Sequence, residues 1–146
     1  MSEDAHCATC DEWLTLLQNS GYRLTAPRRV VVEIMVHSTH VLEPVELYDR
    51  GRDQFPGLGL VTVYRTLEKL TQLGLVQRVH QEGGCNVYLC AAQGHQHLLV
   101  CEVCGKIVYF SGDDLSDLIA RIAAQTGYQI RGHWLQFFGV CRDCQG

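Results

Sequence analysis

Residues 60–90, LVTVYRTLEKLTQLGLVQRVHQEGGCNVYLC, decide the fold. Val63, Leu67 and Leu70 recur at helical spacing, so Leu60 to about Leu73 reads as an amphipathic helix. Gly74 is a natural C-terminal stop. LVQRVH and CNVYLC follow as two strand-like runs with QEGG between them, a β-hairpin signal.

Working upstream, residues 21–38 read GYRLTAPRRVVVEIMVHS. Thr25 is a good N-cap, Pro27 suits a first helical turn, and Val30, Val31, Ile34 and Met35 follow at helical spacing. Asp11 to about Ser20 predicts a shorter helix, with Trp13, Leu14, Leu16 and Leu17 on or near one face. A further helix runs from Pro44 to about Gln54, carrying Val45, Leu47 and Tyr48, and FPGLG ends it. Three helices, a glycine-linked fourth and a hairpin outline a winged helix-turn-helix. The order of elements alone also fits other small α+β domains.

Downstream the pattern changes. HLLVCEVC and KIVYF read as strands. SGDDLSDLIARIAAQTG reads as a helix, with Asp113 and Asp114 in its first turn, a stripe of Leu115, Leu118, Ile119 and Ile122, and Gly127 as its stop. YQIRGHWLQFFGVC is a final strand. The expected class is therefore α+β. Residues 1–84 form a winged-helix unit with a short tail, and residues 85–146 a small α/β unit. So small a module often completes its core by pairing with its own copy, which predicts a homodimer.

That second unit carries Cys101/Cys104 and Cys141/Cys144. A Cys-x-x-Cys pair can turn two thiolates onto one ion, and two pairs complete a tetrahedral structural zinc site. Gly105 permits the tight turn after the first pair. Two disulfides are the competing reading. No secretory signal is evident, and cytosolic disulfides are rare, so zinc and a cytoplasmic location are expected.

Eight cysteines and seven histidines in 146 residues favour metal chemistry. The net charge of −4 looks wrong for a nucleic-acid binder, but Glu3, Asp4, Asp11 and Glu12 crowd one end. From there to Gly84, basic residues slightly exceed acidic ones, so the charge neither demands nor excludes DNA. No apolar run is long enough to span a membrane.

GYRLTAPR, LVTVYRTLEKLTQLGLV, the His-x-His before CEVCGK, and HWLQFFGVCRDC together resemble the ferric uptake regulator (Fur) family of metal-dependent repressors. The resemblance runs from Gly21 to Cys144. It implies a winged-helix DNA-binding domain, a hinge and a dimerisation domain that together clamp a palindromic operator on double-stranded DNA. The recognition helix is then Leu60 to about Leu73. Tyr64 and Arg65 become its base-contacting pair, since Arg can bridge guanine O6 and N7 and a Tyr ring can pack on a thymine methyl. Thr62 would bond a phosphate. Arg23 falls where the family places a basic residue near the minor groove; a solvated surface charge is the plainer alternative.

The sensory metal depends on a second cluster. His95 and His97 alternate, so on a strand both imidazoles point to one face. Many family members carry an unbroken run of histidines here, whereas this chain has GHQHLL. Aligned without gaps, His95 and His97 match a family site within the dimerisation domain, which His133 would join. A one-residue slip instead makes CAAQGHQH look like the zinc-sensing Zur members. Cys90, His95 and His97 would then bind a hinge metal, with His80 or His40 from the DNA-binding side. Thiolate with imidazole suits zinc, and carboxylate-rich sites suit iron or manganese. The expected function is a zinc-responsive dimeric repressor, with an iron- or peroxide-responsive regulator as the alternative.

A thiol-redox enzyme is a remote alternative, because the Cys-x-x-Cys pairs lack a thioredoxin-like βαβ setting. No HExxH-type motif supports a zinc hydrolase. HCATC, with His6, Cys7 and Cys10, reads as a tail with weak metal affinity or redox sensitivity. Cys85 beside the GG turn, and His37, receive no assigned role.

Overall fold

A computed structural model describes residues 9–80, 86–91, 96–111, 115–133 and 135–146. Helix α1, Cys10–Asn19, opens with a capping box. The Glu12 amide donates to Thr9 Oγ1 at 3.3 Å, and the Thr9 amide to Glu12 Oε2 at 3.1 Å. Two orphan amides of the first turn are thereby satisfied. Helix α2, Ala26–His37, is capped by Thr25 with Pro27 in its first turn. Helices α3, Pro44–Gln54, and α4, Leu60–Gln72, follow as the sequence predicts.

The four helices bury Trp13, Leu17, Val31, Met35, Leu47, Val63, Leu67 and Leu70 in one core. Strands β1, Val76–His80, and β2, Asn86–Cys90, pair antiparallel, with Val76 opposite Cys90 and His80 opposite Asn86. The expected QEGG turn between them lies outside the described residues. Leu42 bridges to Tyr88 and adds the segment after α2 to this wing.

β2 is buried at four successive positions after Asn86. Cys90 and Tyr88 belong to the helical core. Val87 and Leu89 face the other way and pack with Val79, Leu98 and Ile107 in a second core. A strand covered on both faces reads as an apolar run, which is why CNVYLC does not alternate cleanly.

The second sheet has the order β4-β3-β5, from β3 His97–Cys101, β4 Ile107–Phe110 and β5 Gln136–Gly139. β4 lies antiparallel to β3, and β5 parallel to it on the other edge. Helix α5, Ser116–Thr126, lies between β4 and β5 in the chain and ends at Gly127, whose φ of 75° suits glycine. The predicted apolar stripe of α5 is present but uncovered: Leu118 and Ile122 are 42% and 41% exposed. Asp113 and Asp114 lie outside the described residues. No described helix is long and apolar enough to cross a membrane.

Candidate metal centre and nucleic-acid interface

Parallel pairing sets Cys101, the last residue of β3, beside Gly139, the last of β5. This register carries Cys141 and Cys144 onto the turn that holds Cys101 and Cys104. All four Sγ atoms lie within 4.8 Å of one another. Cys104 Sγ and Cys141 Sγ are 3.8 Å apart, close to the sulfur–sulfur edge of about 3.8 Å that a tetrahedron with Zn–S bonds near 2.3 Å requires.

The thiols are electrostatically unequal. The backbone amides of Cys104 and Cys141 point at Cys101 Sγ, at 3.5 and 3.4 Å, and lower its pKa to about 6. Cys144 is pushed up to about 12, first by its hydrogen bond to Cys141 and then by burial. Four such thiols cannot all ionise without a cation, and a divalent ion is the natural partner for the set. Among the described residues this is the one group of three or more potential ligands.

The remaining metal candidates divide. His97 is buried on β3, its ring centroid 5.3 Å from that of His133 and 5.7 Å from that of Phe110. His95 lies outside the described residues. Cys90 is disulfide-bonded. Its Sγ sits in the helical core, 3.2 Å from the Met35 carbonyl oxygen. His80 Nδ1 lies 3.2 Å from Asn86 Oδ1, and His40 Nδ1 lies 3.0 Å from Thr39 Oγ1. The structure thus brings His97 to His133 and does not gather Cys90, His80 or His40 with them. Of HCATC, Thr9 and Cys10 are described, and they cap and open α1 instead of forming a tail; burial and then Glu33 raise the Cys10 thiol pKa, which disfavours a reactive thiolate. His6, Cys7 and Cys85 lie outside the described residues.

α4 buries Val63, Thr66, Leu67 and Leu70, and exposes Val61, Tyr64, Arg65 and Glu68 on its other side. Thr62 is half-buried near the helix start. No side-chain cap and no acidic residue occupy the first turn, so its amides and dipole are available to a phosphate.

Arg23 is exposed in the segment entering α2. That segment is held by Arg28, whose Nη1 donates to the Arg23 carbonyl at 2.5 Å. The same guanidinium lies 4.0 Å from the centroid of the Tyr22 ring. Arg28 closes the GYRLTAPR motif but had no role of its own from the sequence; its signal is a basic residue in the first turn of α2, one turn beyond the segment it folds back upon.

A family model described as the ferric uptake regulator family matches residues 19–138. The chain is 35% identical to the ferric uptake regulation protein of Shigella flexneri over 134 residues, 90% of each chain. The Vibrio cholerae ferric uptake regulator structure superposes with a TM-score of 0.68 at 34% identity, covering 87% of this chain and 98% of that one. A zinc-bound manganese uptake regulator gives 0.66 at 28%, covering 92% and 99%. Proteins of this family bind DNA as dimers and are not enzymes. Helical core, wing and four-thiol knuckle all agree with that match, and the chain belongs to the ferric uptake regulator family of metal-responsive transcription regulators.

Proposed function

We propose that this chain is a dimeric, zinc-responsive repressor of a palindromic operator. Residues up to about Cys90 form the DNA-reading unit, and the remainder forms the dimerisation and metal-binding unit. This places the division slightly later than Gly84, because β2 pairs along its length with β1. Cys101, Cys104, Cys141 and Cys144 hold a structural zinc, and the regulatory metal binds at His95, His97 and His133.

The observation that carries this reading is β3 itself. It places His97 at its first residue and Cys101 at its last, about 13 Å apart along a strand. One rigid element thus joins the proposed sensor to the structural site. Tyr64 and Arg65 would read bases from the exposed side of α4. Thr62 and Arg23 would engage the backbone or minor groove. A dimer is supported by the apolar surface left open on the second unit, where Leu118, Ile122, Phe137 and Phe138 are each more than 40% exposed. Regulation follows if metal raises the fraction of dimers whose two reading units fit the operator.

One observation favours a second reading. The Cys90 sulfur faces Met35 and lies in a disulfide, which leaves imidazoles as the described ligands at His97. Without a thiolate, iron(II) or manganese(II) competes on more equal terms. The deciding experiment is operator binding titrated with zinc, iron(II), manganese(II) and nickel(II) at controlled free concentrations. Tightest response to zinc supports the proposal; a response to iron(II) or manganese(II) with indifference to zinc overturns its metal.

A further inference from the structure

The four-thiol knuckle touches the DNA-reading unit directly, through residues 39–42. This short segment between α2 and α3 is shared by both units. On one side Leu42 exchanges backbone hydrogen bonds with Tyr88 of the wing, at 2.9 and 2.8 Å. On the other side His40 bridges antiparallel to Lys106. There the Val41 amide donates to the Gly105 carbonyl at 2.9 Å, and the Ile107 amide to the Thr39 carbonyl at 3.0 Å.

Gly105 belongs to the knuckle. Its amide donates to the Cys101 carbonyl, and the Cys101 amide to that of Lys106, both at 2.9 Å. Its φ of 76° is one that other residues rarely adopt, and a Cβ built on it would stand 2.9 Å from Val41 Cγ2. Glycine here serves both the turn and the close approach of Val41. Tyr109 Oη adds a third tie between the units, donating to the Cys90 carbonyl at 2.7 Å.

We propose that Val41 and Gly105 are positioning residues through which the four-cysteine site fixes where the DNA-reading unit sits. The inference rests on the reading of those cysteines as a zinc site. Zinc holds the turn at Cys101–Lys106, and the turn presents the carbonyl and the Cα surface on which Val41 docks. Loss of the ion would then loosen the docking of the reading unit as well as the knuckle.

Two neighbouring amides separate this idea from general unfolding. Val41 reports docking on the knuckle, and Leu42 reports pairing within the reading unit. Hydrogen exchange is measured on the full chain as isolated, after chelation, and in Gly105→Ala, with metal content determined in each. Chelation and Gly105→Ala are each expected to speed exchange at Val41 about tenfold or more and to leave Leu42 unchanged. Gly105→Ala should keep its zinc, and the added Val41→Ala should restore part of the protection. Operator affinity at saturating regulatory metal should differ between Gly105→Ala and the parent.

Val41 exchange that ignores both treatments overturns the coupling while leaving the zinc reading intact. So does Val41 exchange that rises only in step with Leu42, or an unchanged operator affinity. A natively folded chain that holds no zinc overturns both.

Discussion

The imidazoles of His97 and His133 lie with their ring centroids 5.3 Å apart and their planes 33° from parallel. His97 is fixed by β3 and buried, whereas His133 comes from the segment before β5. Two imidazoles at that separation are near enough to share one ion. If they do, His133→Ala should abolish metal-dependent operator binding and Cys90→Ser should do little. Loss of a group that merely orients a ligand lowers metal affinity about 10–100-fold, so loss of the ligand itself should cost at least that much. Titration of operator binding with metal in both variants checks this. The reverse ranking would return Cys90 to the sensor.

Cys104→Ser should lose tightly held zinc and most of the dimer, because binding energy at such a site is folding energy. Metal analysis and sedimentation of the purified variant read both effects. A dimer with its full zinc content would count against the site.

Arg65→Ala should weaken operator binding by about 1–3 kcal/mol and relax preference at one position. Arg23→Ala should weaken binding on all sequences and flatten its salt dependence. Competition with mutated operators at two salt concentrations distinguishes them. Equal losses on operator and random DNA for Arg65→Ala would argue against base reading.

The buried phenol of Tyr109 is pushed up to about 12 by desolvation. Because its folded pKa lies above the ordinary value near 10, the fold favours the neutral form. Its contribution is complete below about pH 10 and is lost as pH rises through about 12, amounting to roughly 2–3 kcal/mol. Tyr109→Phe should therefore be less stable near neutrality by about 1 kcal/mol, from the lost bond to the Cys90 carbonyl. Its stability should also fall less steeply than the parent's between pH 10 and 12. Denaturant midpoints across that range give the comparison.

Leu67 is fully buried where α4 meets the helical core. Leu67→Ala should cost about 2–5 kcal/mol in chemical denaturation without altering zinc content.

Local chemistry made the helices legible in the sequence. Thr25, Pro27, Pro44 and Gly74 are end signals that act over one turn, and Val63, Leu67 and Leu70 mark a period. The observed boundaries fall within a residue or two of those signals. The cysteine pairs were legible for the same reason, since two-residue spacing forces neighbouring thiols together. The parallel register that joins the pairs was not, because it links β3 to a strand more than thirty residues away. The sensor candidates were undecided in the sequence, where a one-residue slip exchanges Cys90 for His133. Such a slip on a strand moves a side chain to the opposite face. Only the tertiary fold sets which face of β2 meets the helical core, and it turns the Cys90 sulfur toward Met35 and brings His97 to His133. The docking of residues 39–42 was not legible in the sequence, because the bonds that tie them to the wing and the knuckle are backbone hydrogen bonds to residues distant in the chain.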